Sequence, residues 1–203
     1  MKLDGGASRP ARYRAALVFA ATLLLAGCGS DASWHLRDIS GLMPDLQFTL
    51  TGSDGRHLDA TRFRGKITLL YFGYTHCPDV CPTTLTKLAK AVASLGAQAD
   101  RVRILFVSVD PERDTPAKLA AYSRYFGPQI VGLTGDNKEL RALTKRYRVT
   151  YGLGKPDAEG NYEVTHSSAV FIFDAKGEVR LLATHQDKGD AIATDLQRLI
   201  GAG

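Results

Sequence analysis

The 203-residue sequence predicts an α/β fold, in which a mixed β-sheet is flanked by helices. Three observations support this prediction. Apolar runs of strand length alternate with segments of helical periodicity along most of the chain. Two further runs flank the turn at residues 174–177, a pattern typical of an antiparallel hairpin. A turn containing Cys77 and Cys81 joins one strand run to a helix, where open α/β folds place their sites.

The first elements are predicted from alternation and from one strongly apolar run. Residues 46–50 alternate between apolar and polar side chains, and a Gly-rich turn lets residues 56–58 pair back as a hairpin. Residues 67–72 form an apolar run of strand length. After the cysteine turn, Pro82 suits the first turn of a helix that extends to about residue 95.

Capping residues and turn residues predict the remaining elements. Thr115 as an N-cap with Pro116 as the first helical residue predicts one helix, and Asp136 as an N-cap predicts another. Residues 151–161 are rich in Gly, Pro, Asp and Asn, so we expect a loop without regular structure. The other predicted segments are strands at 102–109, 130–133, 168–173 and 178–182, and helices at 116–126, 136–147 and 187–200. This order predicts a thioredoxin-like fold with an N-terminal β-hairpin extension.

The N-terminal part of the chain is predicted to be a targeting signal. In residues 1–27 a basic region precedes an apolar run of about a dozen residues, which is short for a membrane span of about 20. The run ends in Leu-Ala-Gly-Cys28, which resembles the lipobox of bacterial lipoproteins. That resemblance implies cleavage before Cys28 and acylation of its sulfur, and the alternative is an uncleaved anchor. Residues 28–43 are then expected to be the lipidated cysteine and a flexible tether, and residues 44–203 the folded domain.

The charge of the chain argues against nucleic acid as a partner. Residues 1–27 hold four Lys or Arg and one Asp, so they account for +3 of the formal net charge of +5. The remaining charge of about +2 is too small for a nucleic-acid site, which needs Lys and Arg clustered on one face. The sequence also contains no internal repeat and no phosphate-binding glycine loop.

Cys77 and Cys81 are the only cysteines left if Cys28 carries a lipid. At a helix N-terminus, free N–H groups and the helix dipole favour negative charge, so we expect lowered thiol pKa values. Two sulfurs four residues apart on one helical face are able to close a disulfide or bind a soft metal. A purely structural disulfide would add little stability, because the closed loop is so short. Oxidoreductases of this fold normally have two intervening residues rather than three, yet disulfide exchange remains an alternative.

His166 is the candidate third ligand. It precedes the strand run at 168–173, and in a thioredoxin-like fold the loop before it lies against the cysteine turn. Two thiolates and one imidazole suit Cu(I) and Cu(II), whereas a closed structural zinc site needs four protein ligands. His166 as a structural hydrogen-bonding residue and His76 as a rival ligand are the alternatives. The other candidates are expected to be exposed residues without a ligand role: His35, His57, Asp79 and His185.

Several separated motifs closely resemble the Sco/SenC family. They are, in the order in which they occur, YFGYTHCPDVCP, VSVDPERDTP, VGLTG, RYRVTY and YEVTHSSAVFIFDAKG, over about residues 42–200. The resemblance implies a membrane-tethered, thioredoxin-like protein with copper, as Cu(I) or Cu(II), bound by Cys77, Cys81 and His166. It further implies that Asp110 lies beside these ligands. Thr165 departs from the family pattern, in which an Asp is expected, and this affects the surroundings of the site rather than the ligand set.

The resemblance implies a copper chaperone rather than an enzyme. Its expected role is to help assemble the binuclear copper site of cytochrome c oxidase subunit II, from a lipid-anchored position facing the periplasm of a bacterial cell envelope. Other exported copper chaperones and thioredoxin-like reductases are further expected partners. The alternative function is a thiol–disulfide oxidoreductase that uses Cys77 and Cys81 to keep the copper-ligand cysteines of its target reduced. A peroxiredoxin-type peroxidase is disfavoured, because Thr75 lies two residues rather than three before Cys77.

Overall fold

The structure, a computed structural model, describes residues 33–203 except 156, 158–161 and 163, and only the backbone of Leu153, Thr165 and His166. The predicted signal peptide and Cys28 lie outside the described residues. The strands are β1 (Arg37–Asp38), β2 (Thr49–Gly52), β3 (His57–Asp59), β4 (Ile67–Gly73), β5 (Val102–Ser108), β6 (Ile130–Thr134), β7 (Tyr151–Leu153), β8 (Val164–His166), β9 (Val170–Phe173) and β10 (Val179–Ala183). The helices are α1 (Val80–Ala93), α2 (Pro116–Phe126), α3 (Asn137–Arg146) and α4 (Gly189–Gly201), with 3₁₀ helices at Ala60–Phe63 and Gly96–Arg101. In the part of the chain that the structure describes, no helix is long and apolar enough to cross a membrane.

Eight strands form one mixed sheet in the order β1-β10-β9-β4-β5-β6-β2-β3. The central strands β4, β5 and β6 are parallel, and the strands on either side of them are antiparallel. All seven residues of β4 are buried, as expected for a strand covered on both faces. The predicted mixed sheet flanked by helices is therefore confirmed.

The register of the central strands places two turns next to each other. Gly73, the last residue of β4, pairs with Ser108, the last residue of β5. The next N–H along, that of Val109, donates to the carbonyl of Gly73 at 2.9 Å. Because parallel strands end at the same edge of a sheet, the cysteine turn after β4 lies beside the turn at residues 110–114 after β5.

Both predicted hairpins and two predicted helix caps are confirmed. Strands β2 and β3 pair antiparallel, as do β9 and β10. Thr115 caps α2 by accepting a hydrogen bond from the Lys118 N–H. Asp136 and Glu139 form a capping box at the start of α3, which satisfies N–H groups that a helix leaves unpaired.

The prediction of a flexible tether through residue 43 is wrong from Trp34 onward. Strand β1 pairs with β10, and Leu36 and Ile39 are buried. The Leu36 N–H donates to the buried carboxylate of Asp195 at 2.8 Å, and the Arg198 guanidinium lies 4.2 Å from the Trp34 ring centroid. A strand of two residues is too short to show periodicity, so the sequence of this segment resembles that of a linker. The strand is recognisable only from its pairing with β10. The folded unit accordingly begins at Trp34 rather than at residue 44.

The prediction that residues 151–161 contain no regular element is wrong for the first three of them. Strand β7 pairs antiparallel with β8 in a second, two-stranded sheet, with Tyr151 opposite His166. Three-residue strands interrupted by glycine carry almost no local signal, and their pairing partner is about a dozen residues away in the sequence.

Candidate metal centre

The two cysteines lie where β4 gives way to α1. Cys77 is in the turn and partly exposed, whereas Cys81 is in the first turn of α1 and is 0% exposed. Both are free thiols. The Cys81 N–H donates to the Cys77 sulfur at 3.4 Å, and the two side chains are hydrogen bonded to each other. The prediction of two adjacent sulfurs at the N-terminal end of a helix matches this arrangement.

A glycine allows the buried sulfur to reach the backbone of β4. A Cβ atom on Gly73 would lie 2.8 Å from Cys81 Sγ and 2.7 Å from a ring carbon of Phe106. These distances are shorter than any ordinary contact between such atoms, so a side chain at position 73 would displace the sulfur or the ring. Sequence reasoning missed this residue, although glycine inside a strand often marks a close approach.

The expectation of a lowered pKa is wrong for Cys81. Burial raises the pKa of the Cys81 thiol to about 12, and a negative charge on Cys77 would raise it further. A hydrogen bond from the Tyr74 N–H and the neighbouring Tyr71 hydroxyl both lower the pKa of Cys81, but they do not cancel the effect of burial. Desolvation outweighs the helix dipole here because the sulfur is fully enclosed. The thiol is therefore protonated at neutral pH unless a cation replaces the proton.

Tyr71 and Tyr74 surround the sulfurs, and the sequence reasoning did not single them out. The Tyr71 hydroxyl lies beside Cys81, and the Tyr74 hydroxyl is hydrogen bonded to Cys77. Burial raises the pKa of both phenols, so both remain hydrogen-bond donors at neutral pH. Such donors stabilise negative charge on sulfur, as a metal-bound thiolate requires.

Asp114, which is 0% exposed, fixes the start of the cysteine turn. Its carboxylate accepts hydrogen bonds from the Thr75 N–H (2.8 Å), the Thr75 hydroxyl (2.5 Å) and the Ser108 hydroxyl (2.5 Å). Nδ1 of His76 lies 3.5 Å from the Asp114 carboxylate and 3.2 Å from the Thr75 hydroxyl. Nδ1 of His76, the rival ligand, therefore already contacts Asp114 and Thr75. Sequence reasoning overlooked Asp114 because its burial depends on the neighbouring turn.

Asp110 is also 0% exposed and belongs to a separate cluster beside the cysteine turn. It accepts from Arg113 Nε at 2.5 Å and from the Tyr162 hydroxyl at 2.6 Å. The Arg113 guanidinium lies 3.6 Å from the ring centroid of Tyr162 and 5.8 Å from that of Tyr74. Asp110 is therefore linked to the cysteine turn through Arg113 and Tyr74.

The strand that carries His166 lies against the cysteine turn. Val164, two residues earlier, is buried, and its N–H donates to the Tyr74 hydroxyl, which also contacts Cys77. The imidazole of His166 lies outside the described atoms, so its ligand role remains a prediction. Among the side chains that the structure describes, no group of three or more His, Cys, Asp or Glu is placed to hold a metal ion.

The remaining candidate residues are exposed, as expected from the sequence. The side chains of His35, His57, Asp79 and His185 are all exposed. Asp79 accepts a hydrogen bond from the Thr83 hydroxyl at 3.2 Å, and His185 Nδ1 lies 3.3 Å from the Ser168 hydroxyl.

Comparison with protein families gives one family model, described as SCO1/SenC, which matches residues 43–201. The chain is 42% identical to Protein SCO2 homolog, mitochondrial, of Bos taurus over 132 residues, which is 64% of this chain and 50% of that protein. It is 35% identical to a SCO2-like protein of Rickettsia felis over 132 residues, 64% of each. The chain thus spans about half to two thirds of the length of the curated relatives that it matches.

Solved structures of similar fold include copper-bound members. Bradyrhizobium japonicum ScoI with copper bound has 37% sequence identity and a TM-score of 0.70, covering 76% of this chain and 98% of that one. Yeast Sco1 with copper bound has 28% identity and a TM-score of 0.71, covering 79% and 90%.

Proposed function

The chain belongs to the SCO1/SenC family, and we propose that it is a copper chaperone for the binuclear copper site of cytochrome c oxidase subunit II. It holds Cu(I) or Cu(II) through Cys77, Cys81 and His166 and releases the metal by ligand exchange. The observation that carries the proposal is the adjacency of the two sulfurs at the start of α1, with β8 bonded to the same turn through Tyr74. The copper-bound ScoI and Sco1 structures of the same fold support copper as the metal.

The donor set suits copper. Thiolates favour Cu(I), and an imidazole in addition allows Cu(II) to be held by the same residues. Val164 is buried, and its N–H donates to the Tyr74 hydroxyl beside Cys77. Strand β8 therefore lies against the cysteine turn, which supports a third ligand from this strand.

The two sulfurs have different parts in binding and release. Cys81 is enclosed, and its raised pKa means that copper must displace a proton, so copper affinity should increase with pH. Cys77 is partly exposed and is therefore the sulfur that an acceptor protein reaches first. Transfer then begins with exchange at Cys77, while Cys81 holds the metal until the acceptor supplies a second ligand.

We also propose that Cys28 is lipidated and that the domain is anchored to a membrane, facing the periplasm of a bacterial cell envelope. Residues 25–28 and the preceding basic and apolar regions support this proposal. Metabolic labelling with a radioactive fatty acid tests it: label should enter the parent and not Cys28→Ala. Labelling of Cys28→Ala at the parental level would exclude Cys28 as the acylated residue.

The three-ligand site is tested by loading the reduced full-length protein, in detergent, with Cu(I) and with Cu(II). We expect one copper per chain in the parent and loss of stable Cu(II) binding in His166→Ala. His185→Ala is the matched control, because it removes an exposed histidine and should behave as the parent. If His166→Ala binds both copper states as the parent does, the three-ligand site is wrong.

A second candidate function, a thiol–disulfide reductase, is favoured by one observation. Both thiols are free and are hydrogen bonded to each other, so oxidation to a disulfide needs little rearrangement. This activity requires Cys77 and Cys81 but not His166. A His166→Ala variant that reduces a disulfide in the target at the parental rate, but no longer holds Cu(II), would show both activities to be present and separable.

A further inference from the structure

Tyr162 connects the chain segment before His166 to a buried charge. Its hydroxyl donates to Oδ1 of Asp110 at 2.6 Å, and the Arg113 guanidinium stacks on its ring at 3.6 Å. Asp110 is fully buried, and its other oxygen accepts from Arg113 Nε. Burial and the adjacent carboxylate raise the pKa of Tyr162 to about 12, so its hydroxyl remains a donor at neutral pH.

These contacts matter because β8 is outside the main sheet. It pairs only with β7 in a separate two-stranded sheet among the described strands, so no hydrogen-bond ladder ties it to the core. Side-chain contacts therefore hold it against the cysteine turn. One is the hydrogen bond from the Val164 N–H to the Tyr74 hydroxyl. Another is the hydrogen bond from the hydroxyl of Tyr162, which lies four residues before His166, to the Asp110 carboxylate. A hydrogen bond to a buried carboxylate is stronger than an ordinary one.

We propose that Tyr162 is a positioning residue that sets where His166 stands relative to Cys77 and Cys81. The inference rests on the proposed function, since it gives Tyr162 a role in copper retention through the histidine. Removing the hydroxyl leaves both sulfurs in place and lowers the fraction of time that the third ligand is correctly placed. Cu(II), which needs the imidazole, is then released faster, whereas Cu(I), which two thiolates hold well, is hardly affected.

The test uses four variants of the full-length protein in detergent. Tyr162→Phe removes the hydroxyl and keeps the ring on Arg113. Tyr125→Phe is the matched control, because Tyr125 is 84% exposed and its ring packs on Phe126 rather than on Asp110 or Arg113. His166→Ala and the double variant Tyr162→Phe/His166→Ala determine whether Tyr162 acts through the histidine. Cu(II) release to EDTA is followed by the loss of thiolate-to-copper absorption, and Cu(I) affinity is measured by competition with a chromophoric chelator.

We expect Tyr162→Phe to release Cu(II) about tenfold faster than the parent, the lower range for loss of a residue that orients a metal ligand. Its Cu(I) affinity should stay within about threefold of the parent, and Tyr125→Phe should match the parent in both measurements. The two variants that lack His166 hold no stable Cu(II), so they are compared by Cu(I) affinity, which Tyr162→Phe should leave unchanged in that background. Cu(II) release from Tyr162→Phe at the parental rate, or a Cu(I) affinity that Tyr162→Phe lowers in the absence of His166, would overturn the inference.

A measurement without copper separates this inference from the proposed function. In the reduced apo protein, amide hydrogen exchange in β8 should be about tenfold faster in Tyr162→Phe than in the parent, while exchange in β4 stays unchanged. Unchanged exchange in β8 overturns the positioning role even if copper binds as proposed. Conversely, if His166→Ala retains both copper states but β8 exchange does increase, the three-ligand site fails and the anchoring of β8 by Tyr162 stands.

Discussion

The cysteine turn and the β7–β8 hairpin are built in different ways. The cysteine turn extends from a strand that is buried along its whole length, and Cys81 itself is 0% exposed. Asp114 accepts two hydrogen bonds from Thr75 in the turn and a third from Ser108 at the end of β5. The hairpin, by contrast, forms a small sheet of its own, and side-chain bonds from Tyr74 and Tyr162 connect it to the rest of the fold.

The difference indicates how one site can both hold and release a metal. Core packing places the two sulfurs before any metal arrives, so capturing copper requires little reorganisation there. The proposed third ligand is carried by an element whose position depends on a few hydrogen bonds, each contributing on the order of 1–3 kcal/mol. Changes in the turn should therefore affect stability and all copper binding, whereas changes in the hairpin should affect mainly copper retention.

The largest expected effect is loss of a sulfur. Cys81→Ser keeps the side-chain volume almost unchanged but removes the buried soft ligand, so Cu(I) affinity should fall by roughly 10³-fold. Competition with a chromophoric Cu(I) chelator measures the change, with the exposed Ser94→Ala as a control variant. Tight Cu(I) binding by Cys81→Ser would mean that the copper is held outside the cysteine turn.

The next prediction concerns the two thiols within the turn. A pKa of about 12 leaves roughly one Cys81 thiol in 10⁴ ionised at pH 8, and the sulfur is enclosed. Iodoacetamide should therefore modify Cys77 at least ~100-fold faster than Cys81 in the reduced apo protein. Because the pKa of Cys81 lies above the working range, its rate should rise about tenfold per pH unit between pH 7 and 9. Peptide mass spectrometry gives both rates, and equal rates at pH 8 would contradict the raised pKa.

A smaller effect is expected from adding one methyl group to the strand beneath the sulfur. Gly73→Ala forces Phe106 or Cys81 to move, so it should lower the free energy of unfolding by about 2 kcal/mol and also weaken Cu(I) binding. Gly189→Ala is the matched control, since its nearest contact would be an ordinary 3.8 Å. Urea unfolding of the apo proteins measures the difference, and equal stability of the two variants would show that the sulfur is not packed against β4.

The smallest expected effect on stability is that of Val164→Ala in the hairpin, which is compared with the same truncation in the central sheet. Val107→Ala in β5 should cost about 2 kcal/mol of unfolding free energy, because it leaves a cavity in the central sheet. Val164→Ala in β8 should cost under about 1 kcal/mol, because the small hairpin is able to relax around the loss. Cu(II) release should nevertheless be faster in Val164→Ala than in Val107→Ala. A larger stability loss for Val164→Ala would show that the hairpin is as much part of the core as the sheet.

Local patterns were sufficient for most of the fold. Sequence patterns correctly predicted two helix caps, at Thr115 and Asp136, and both hairpins of the main sheet. Each of these features depends on a few consecutive residues. Strands β1, β7 and β8 were missed, because each is only two or three residues long and exists through pairing with another strand. The same limit applied to the site: the two cysteines were found from their spacing, whereas Gly73, Tyr74 and Asp114 became recognisable only once β5 and α1 were packed against β4.

The sequence by itself determined the order of the helices and of the longer strands, the pair of sulfurs at the start of α1 and the family, because these follow from periodicity and from motifs. Only the tertiary structure decided the chemistry of each sulfur and the attachment of β8. Burial raised the pKa of Cys81 against the effect of the helix terminus, and long-range contacts brought Tyr162 onto Asp110. Desolvation and such contacts depend on what surrounds an atom in space, and that is settled only when distant segments of the chain come together.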